Sequence, residues 1–166
     1  MLAMTGYIKI DFLVYQRLLG GLLCVMLLSS CSTSVLLPEV DIAAPGWTVW
    51  SGQALWKAAA ERPAIAGEIV LARHDNGDVL INFAKPPVPI FTAQSSGANW
   101  KIDFIYNQNT YSGTDGAPSR FVWFRIPSLL QSAIVPKGWQ VQVAHKPVWE
   151  LLDPHSGEHI RLVLDR

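Results

Sequence analysis

Five residues near the C-terminus, His155-Ser156-Gly157-Glu158-His159, spell H-x-x-E-H. Two imidazoles and a carboxylate in that order hold zinc in one class of peptidases, provided that a helix turns both histidines toward one metal. Here Pro154 precedes the string and Gly157 interrupts it, and both residues disfavour a helix interior. The string is therefore read as a solvated hairpin turn, with no metal and no cofactor. His74-Asp75 abuts an Asn-Gly turn and His145 abuts Lys146-Pro147, so both histidines read as strand-end residues. Asp75 and Asp78 flank that same turn, where carboxylates bond to backbone N–H groups. Nucleophile-elbow, P-loop and dinucleotide-binding strings are missing from the sequence. Arg120 and Arg125 flank aromatic residues; they either meet lipid headgroups or simply sit on a surface. Nothing here assembles a catalytic set, and the chain is read as a non-enzyme.

Cys31 is the position whose chemistry its neighbours specify best. Lys9 and Arg17 precede an uncharged run, Leu18 to Leu28, of eleven apolar or small residues. A hydrocarbon core of ~30 Å needs about 20 residues to span, so the run is too short for a spanning helix. It fits the apolar region of a signal peptide. The run ends in Leu28-Ser29-Ser30-Cys31, which resembles a bacterial lipobox. Small residues let a peptidase approach the backbone, and the Cys31 thiol would carry diacylglycerol. Residues 1–30 are then a lipoprotein signal peptide. Met1 to Gln16 makes a long lead-in and leaves the translation start open. Cleavage removes Cys24 and leaves eleven basic and twelve acidic residues. A thioether-linked diacylglycerol plus an N-acyl chain (a palmitate, for example) gives stable anchoring. Ser32, rather than an acidic residue, follows the cysteine; that resembles an outer-membrane sorting signal, with the protein facing the periplasm.

Residues 31–46 read as a lipidated tether, with Pro38 and Pro45 and no period. Val35, Leu36 and Leu37 are apolar enough to pack on the domain that follows. Residues 47–166 read as a single β-rich domain. With 166 residues, 16% of them charged and a net charge of zero, the chain is neither disordered nor a basic nucleic-acid binder.

Strand-like runs alternate with turn signals throughout that domain. Trp47 to Ala58 is a strand with Gly52 as a bulge or close approach, and Ala58 to Arg62 is one helical turn stopped by Pro63. Gly67 to His74 and Val79 to Ala84 form a hairpin around Asn76-Gly77, whose positive φ angles suit a type I′ turn. Lys85 to Pro89 holds three prolines and reads as a loop. Strands resume at Ile90 to Gln94 and at Asn99 to Tyr106, where Trp100, Ile102, Phe104 and Tyr106 alternate. Asn107 to Pro118 is turn-rich. Pro127 predicts a short helix with Leu129-Leu130 behind it, preceded by a separate turn over Phe121 to Phe124. Gly138 to His145, Pro147 to Leu152 and His159 to Leu164 complete the count. Seven to eight strands and one or two short helices imply a mainly β fold, a curved antiparallel sheet or barrel.

All seven tryptophans lie between Trp47 and Trp149. Each aromatic buries roughly 150–250 Å2, so they either fill a core or line an apolar pocket. The lipobox, the tether, the Trp-rich first strand with Gly52 and the segment GEIVLARHDNGDVLINFAKPPVPIFTAQSSGANWKIDF (67–104) together look like the LolA/LolB family of lipoprotein-localisation proteins. The shared pattern is a hairpin, a Pro-rich apolar loop, a strand, a Gly turn and an aromatic strand.

The resemblance implies a half-barrel covered by short helices, with an apolar cavity for lipoprotein acyl chains. Trp50, Trp56, Phe83, Trp100, Phe104, Trp123 and Trp139 are the expected cavity lining, and Phe121 to Leu130 the expected lid. Pro87, Val88 and Ile90 match the protruding apolar loop of the membrane-bound receptors, with Val88, smaller than their leucine, at its tip. The ending around Trp149-Glu150-Leu151-Leu152 departs from theirs. The expected function is lipid or acyl-chain binding by an outer-membrane lipoprotein, in lipoprotein localisation. The alternative is a small lipid-anchored accessory subunit that acts through other envelope proteins.

Overall fold

A computed structural model describes residues 35–145 and 148–165; the signal peptide and Cys31 lie outside the described residues. Nine antiparallel strands form one open sheet, in the spatial order β6-β5-β4-β3-β2-β1-β9-β8-β7. They are β1 (Trp47–Lys57), β2 (Ile65–His74), β3 (Val79–Lys85), β4 (Val88–Ser96), β5 (Asn99–Phe104), β6 (Asn109–Gly113), β7 (Gln140–His145), β8 (Val148–Leu152) and β9 (His159–Leu164). A 3-10 turn over Val122–Arg125 runs into helix α1 (Ile126–Ser132), and together they cover one face. The fold is a mainly β half-barrel with a short helical cover.

Alternation along each strand explains the covered face. One inner row runs Leu71–Ile81–Ala93–Ile102 across β2 to β5, and its neighbour runs Ile69–Phe83–Phe91–Phe104. Ala54, Ile160, Leu162 and Leu151 continue the inner face through β1, β9 and β8. The helical cover inserts Val122, Trp123, Phe124, Ile126 and Leu129 onto these rows, all buried. Pro127 sits in the first turn of α1, where its missing N–H leaves no helix bond unmade. Arg73, at the end of the inner face of β2, donates from Nη1 to Gln131 Oε1 on α1.

Gly52 is a close approach and not a bulge. It pairs in register with Ile69 and Leu164, and a Cβ there would lie 2.1 Å from the Val163 carbonyl oxygen.

Several local expectations change. Ala58 to Arg62 holds a single hydrogen-bonded turn, closed by Arg62 N–H on the Ala59 carbonyl (3.0 Å), and does not extend into a helix. Only Gly77 (φ 97°) is left-handed in the β2–β3 turn; type I′ needs two such residues, so the turn is of another kind. The Pro-rich loop contracts to a turn at Pro86–Pro87, and β4 begins at Val88. A register shift at Phe83/Ala84 sets Pro89 opposite Ala84 and leaves Ile90 unpaired with β3. A bulge admits a proline where a regular ladder would not, and the Ile90 carbonyl accepts Ile105 N–H at 3.0 Å instead. β5 stops at Phe104, so Tyr106 leaves the strand and is 91% exposed. Asn109–Gly113 is an additional strand at the sheet edge.

Residues 35–40 have no regular structure. Val35, Leu36 and Leu37 border a shallow hollow with Leu80, Thr92 and Gln94, and Gln94 Nε2 donates to the Pro38 carbonyl at 2.9 Å.

Candidate functional site

An antiparallel meander gathers alternate strand ends. The ends of β1, β3 and β5 and the starts of β2, β4 and β9 meet at one end of the sheet, as the pairs Trp56–Ile65, Lys85–Val88 and Lys57–His159 record. Two open grooves lie at this end and share Trp56 and Phe104.

The first groove, about 590 Å3, is walled by Trp56, Ile65, the Lys85–Ile90 hairpin, Phe104, Tyr106 and Asn107. Its surface is apolar apart from Lys85 and Asn107. Val88 is 53% exposed and Tyr106 stands on the facing wall. The hydrogen bond from Ile105 to Ile90 ties these two walls together. The volume lies within the ~300–1,000 Å3 usual for small-molecule sites.

The second groove, about 480 Å3, runs past Trp100, Tyr111, Phe121, Arg120 and Glu158. Glu158 Oε1 accepts the Trp56 indole N–H at 2.9 Å, which fixes the ring that separates the two grooves. Burial pushes the Glu158 carboxyl above its ordinary value; the Trp56 hydrogen bond opposes the shift and the negative Asp153 adds to it. Neither Arg120 nor Glu158 has an ion-pair partner among the described residues.

Behind both grooves the half-barrel is solidly packed. Trp123 lies 5.2 Å from Phe91, 5.7 Å from Phe83 and 5.9 Å from Trp56, ring centre to ring centre. Phe83 and Trp123 are completely buried. They belong to the core and not to an open cavity wall, because the 3-10 turn drives Trp123 into the space that a deep cavity would need. The Trp123 Nε1 atom is buried with no hydrogen-bond partner among the described residues.

Of the expected lining, Trp56 and Phe104 border both grooves and Trp100 borders the second. Trp50 and Trp139 are half-buried against the core and border neither. Pro87, Val88 and Ile90 all border the first groove, with Pro87 in a tight turn and Val88 and Ile90 in β4 instead of a separate loop. Sequence reasoning missed Tyr106, Ile65 and Glu158 as site residues. Tyr106 carried a signal, as the aromatic that ends the alternation from Trp100; Ile65 carried none, and Glu158 stood out only as the carboxylate of H-x-x-E-H, not as a groove residue.

The H-x-x-E-H string forms a turn. Asp153 accepts the His155 N–H at 2.9 Å and the Ser156 hydroxyl at 2.6 Å, and these bonds hold its carboxyl below the ordinary value. Among the described residues, no group of three or more His, Cys, Asp or Glu stands close enough to hold a metal. No helix of the described residues is long and apolar enough to cross a membrane.

Comparison with models of known protein families and with curated protein sequences finds no match to the chain.

Proposed function

We propose that this is a lipid-anchored envelope protein that binds acyl chains at the open end of its half-barrel. The observation that carries the reading is the first groove, an apolar trough of about 590 Å3 between Trp56, the Pro86–Ile90 hairpin and Tyr106. Apolar surface left open to water favours an apolar ligand by roughly 25 cal/mol per Å2 covered. Leu28-Ser29-Ser30-Cys31 supplies the anchor, through diacylglycerol on Cys31. In this reading the protein carries out no reaction and needs no cofactor. It holds lipid, in the first instance the acyl chains of lipoproteins on their way to the outer membrane, and faces the periplasm.

The packed interior limits what enters. A chain lies along the groove and does not replace the core around Trp123. The test uses the chain from Ser32 onward, which contains the compact unit Val35–Arg166. An environment-sensitive apolar dye is loaded, and free acyl chains and a triacylated lipoprotein are titrated separately. Displacement by both at micromolar levels is the expected result. No dye uptake and no displacement would overturn the reading and leave the accessory-subunit alternative, in which the exposed Val88 and Tyr106 meet a partner protein.

A further inference from the structure

We propose that the second groove reads the headgroup of a zwitterionic glycerophospholipid whose acyl chain occupies the first. The inference rests on the acyl-binding reading and names the class of lipid.

The two grooves adjoin on either side of the Trp56 ring, and Trp56 and Phe104 border both. Their chemistry differs in the way the two halves of an amphiphile differ. The first offers Pro, Val, Ile and aromatic surface with a single lysine at its border. The second combines four aromatic rings besides Trp56 with one guanidinium, Arg120, and one carboxylate, Glu158. Its formal charge is zero, matching a headgroup that carries one phosphodiester anion and one ammonium. Arg120 has no carboxylate partner among the described residues, and a guanidinium fork suits two phosphate oxygens. Glu158 Oε1 accepts the Trp56 indole N–H, and the second carboxylate oxygen would accept from an ammonium N–H. The aromatic lining of Trp56, Trp100 and Phe104 offers cation–π attraction to the same ammonium. A bound ammonium also favours the ionised carboxylate, countering the burial that raises its pKa.

An anionic headgroup would satisfy Arg120 and leave Glu158 facing like charge. A neutral glyceride would leave both ions unmatched. The groove therefore ranks headgroups, and that ranking separates this proposal from acyl binding alone.

The test titrates three single-chain lipids of identical acyl length, below their micelle concentrations, against dye-loaded protein starting at Ser32. They are lysophosphatidylethanolamine, lysophosphatidylglycerol and monoacylglycerol. The expected order has the ethanolamine lipid about tenfold tighter than monoacylglycerol and at least threefold tighter than the glycerol lipid. Arg120→Gln brings the ethanolamine lipid to within twofold of monoacylglycerol. Glu158→Gln, which can still accept the Trp56 N–H, removes the preference for ethanolamine over glycerol. Equal binding of all three lipids overturns the headgroup proposal while acyl binding stands. A glycerol lipid as tight as the ethanolamine lipid also overturns it. Failure of every lipid to displace dye overturns both.

Discussion

The Trp56 indole donates to Glu158 across 2.9 Å, joining residues 102 positions apart in the chain. This bond ties the end of β1 to the turn between β8 and β9, and it orients the ring that divides the two grooves. Glu158→Ala should cost about 1 kcal/mol, the usual worth of a half-exposed hydrogen bond, and should loosen Trp56. Glu158→Gln keeps the acceptor and removes the charge. Because burial raises the Glu158 pKa in the folded state above its ordinary 4.5, the folded protein holds this proton more tightly than the unfolded chain. Its contribution is complete below pH 4.5 and is lost as pH rises through the folded value. Urea unfolding of wild type and Glu158→Gln across that window checks the sign: wild type should lose stability relative to the variant as pH rises.

Val88→Glu should weaken acyl-chain binding at least tenfold, since an ionised carboxylate on the groove wall is costly to cover with hydrocarbon. Val88 is 53% exposed, so folding stability should change by no more than about 0.5 kcal/mol. Dye displacement and urea midpoints on the same preparation separate the two effects.

Gly52→Ala should destabilise by about 1–3 kcal/mol or more, the range for forced overpacking. The new methyl would meet the Val163 carbonyl oxygen at 2.1 Å, at the seam where β1 pairs with β9. Equilibrium unfolding measures the loss; a midpoint equal to wild type would mean that the seam has room for the methyl.

Ala133→Gly should stabilise the protein by roughly 0.5–1 kcal/mol. Ala133 closes α1 in the left-handed region (φ 55°, ψ 23°), with its N–H on the Leu129 carbonyl at 2.8 Å. A Cβ costs about 1–2 kcal/mol there, and glycine returns part of that gain as chain entropy. The urea midpoint should rise without any change in dye binding.

Strand faces were legible because burial alternates with residue type; Val79-Leu80-Ile81-Asn82-Phe83 and His159–Leu164 are plain in the sequence. The helix beginning beside Pro127 was equally plain. Strand β6 was not, since Asn109-Thr110-Tyr111-Ser112-Gly113 shows no apolar alternation and is fixed only by its register with β5. The Pro-rich segment misled for a related reason. Pro89 argues against a regular strand, yet the bulge at Ile90 absorbs it, and a bulge depends on the partner strand. At the site, Trp56 was expected among the cavity lining and Val88 at the tip of an apolar loop, both through the family resemblance. Whether Trp123 fills or lines the half-barrel depends on where the 3-10 turn places it, and spacing along the chain says nothing of that. Glu158 joins the site only through its distant bond to Trp56.

The central claim is that acyl chains lie in the groove between Trp56, the Pro86–Ile90 hairpin and Tyr106. It is tested most directly by photolabelling with an acyl chain bearing a terminal diazirine, followed by peptide mapping. Labels concentrated on 85–90 and 104–107, and lost on competition with unlabelled acyl chains, are the predicted result. Labels spread over the outer face of the sheet, or unaffected by competitor, would contradict it.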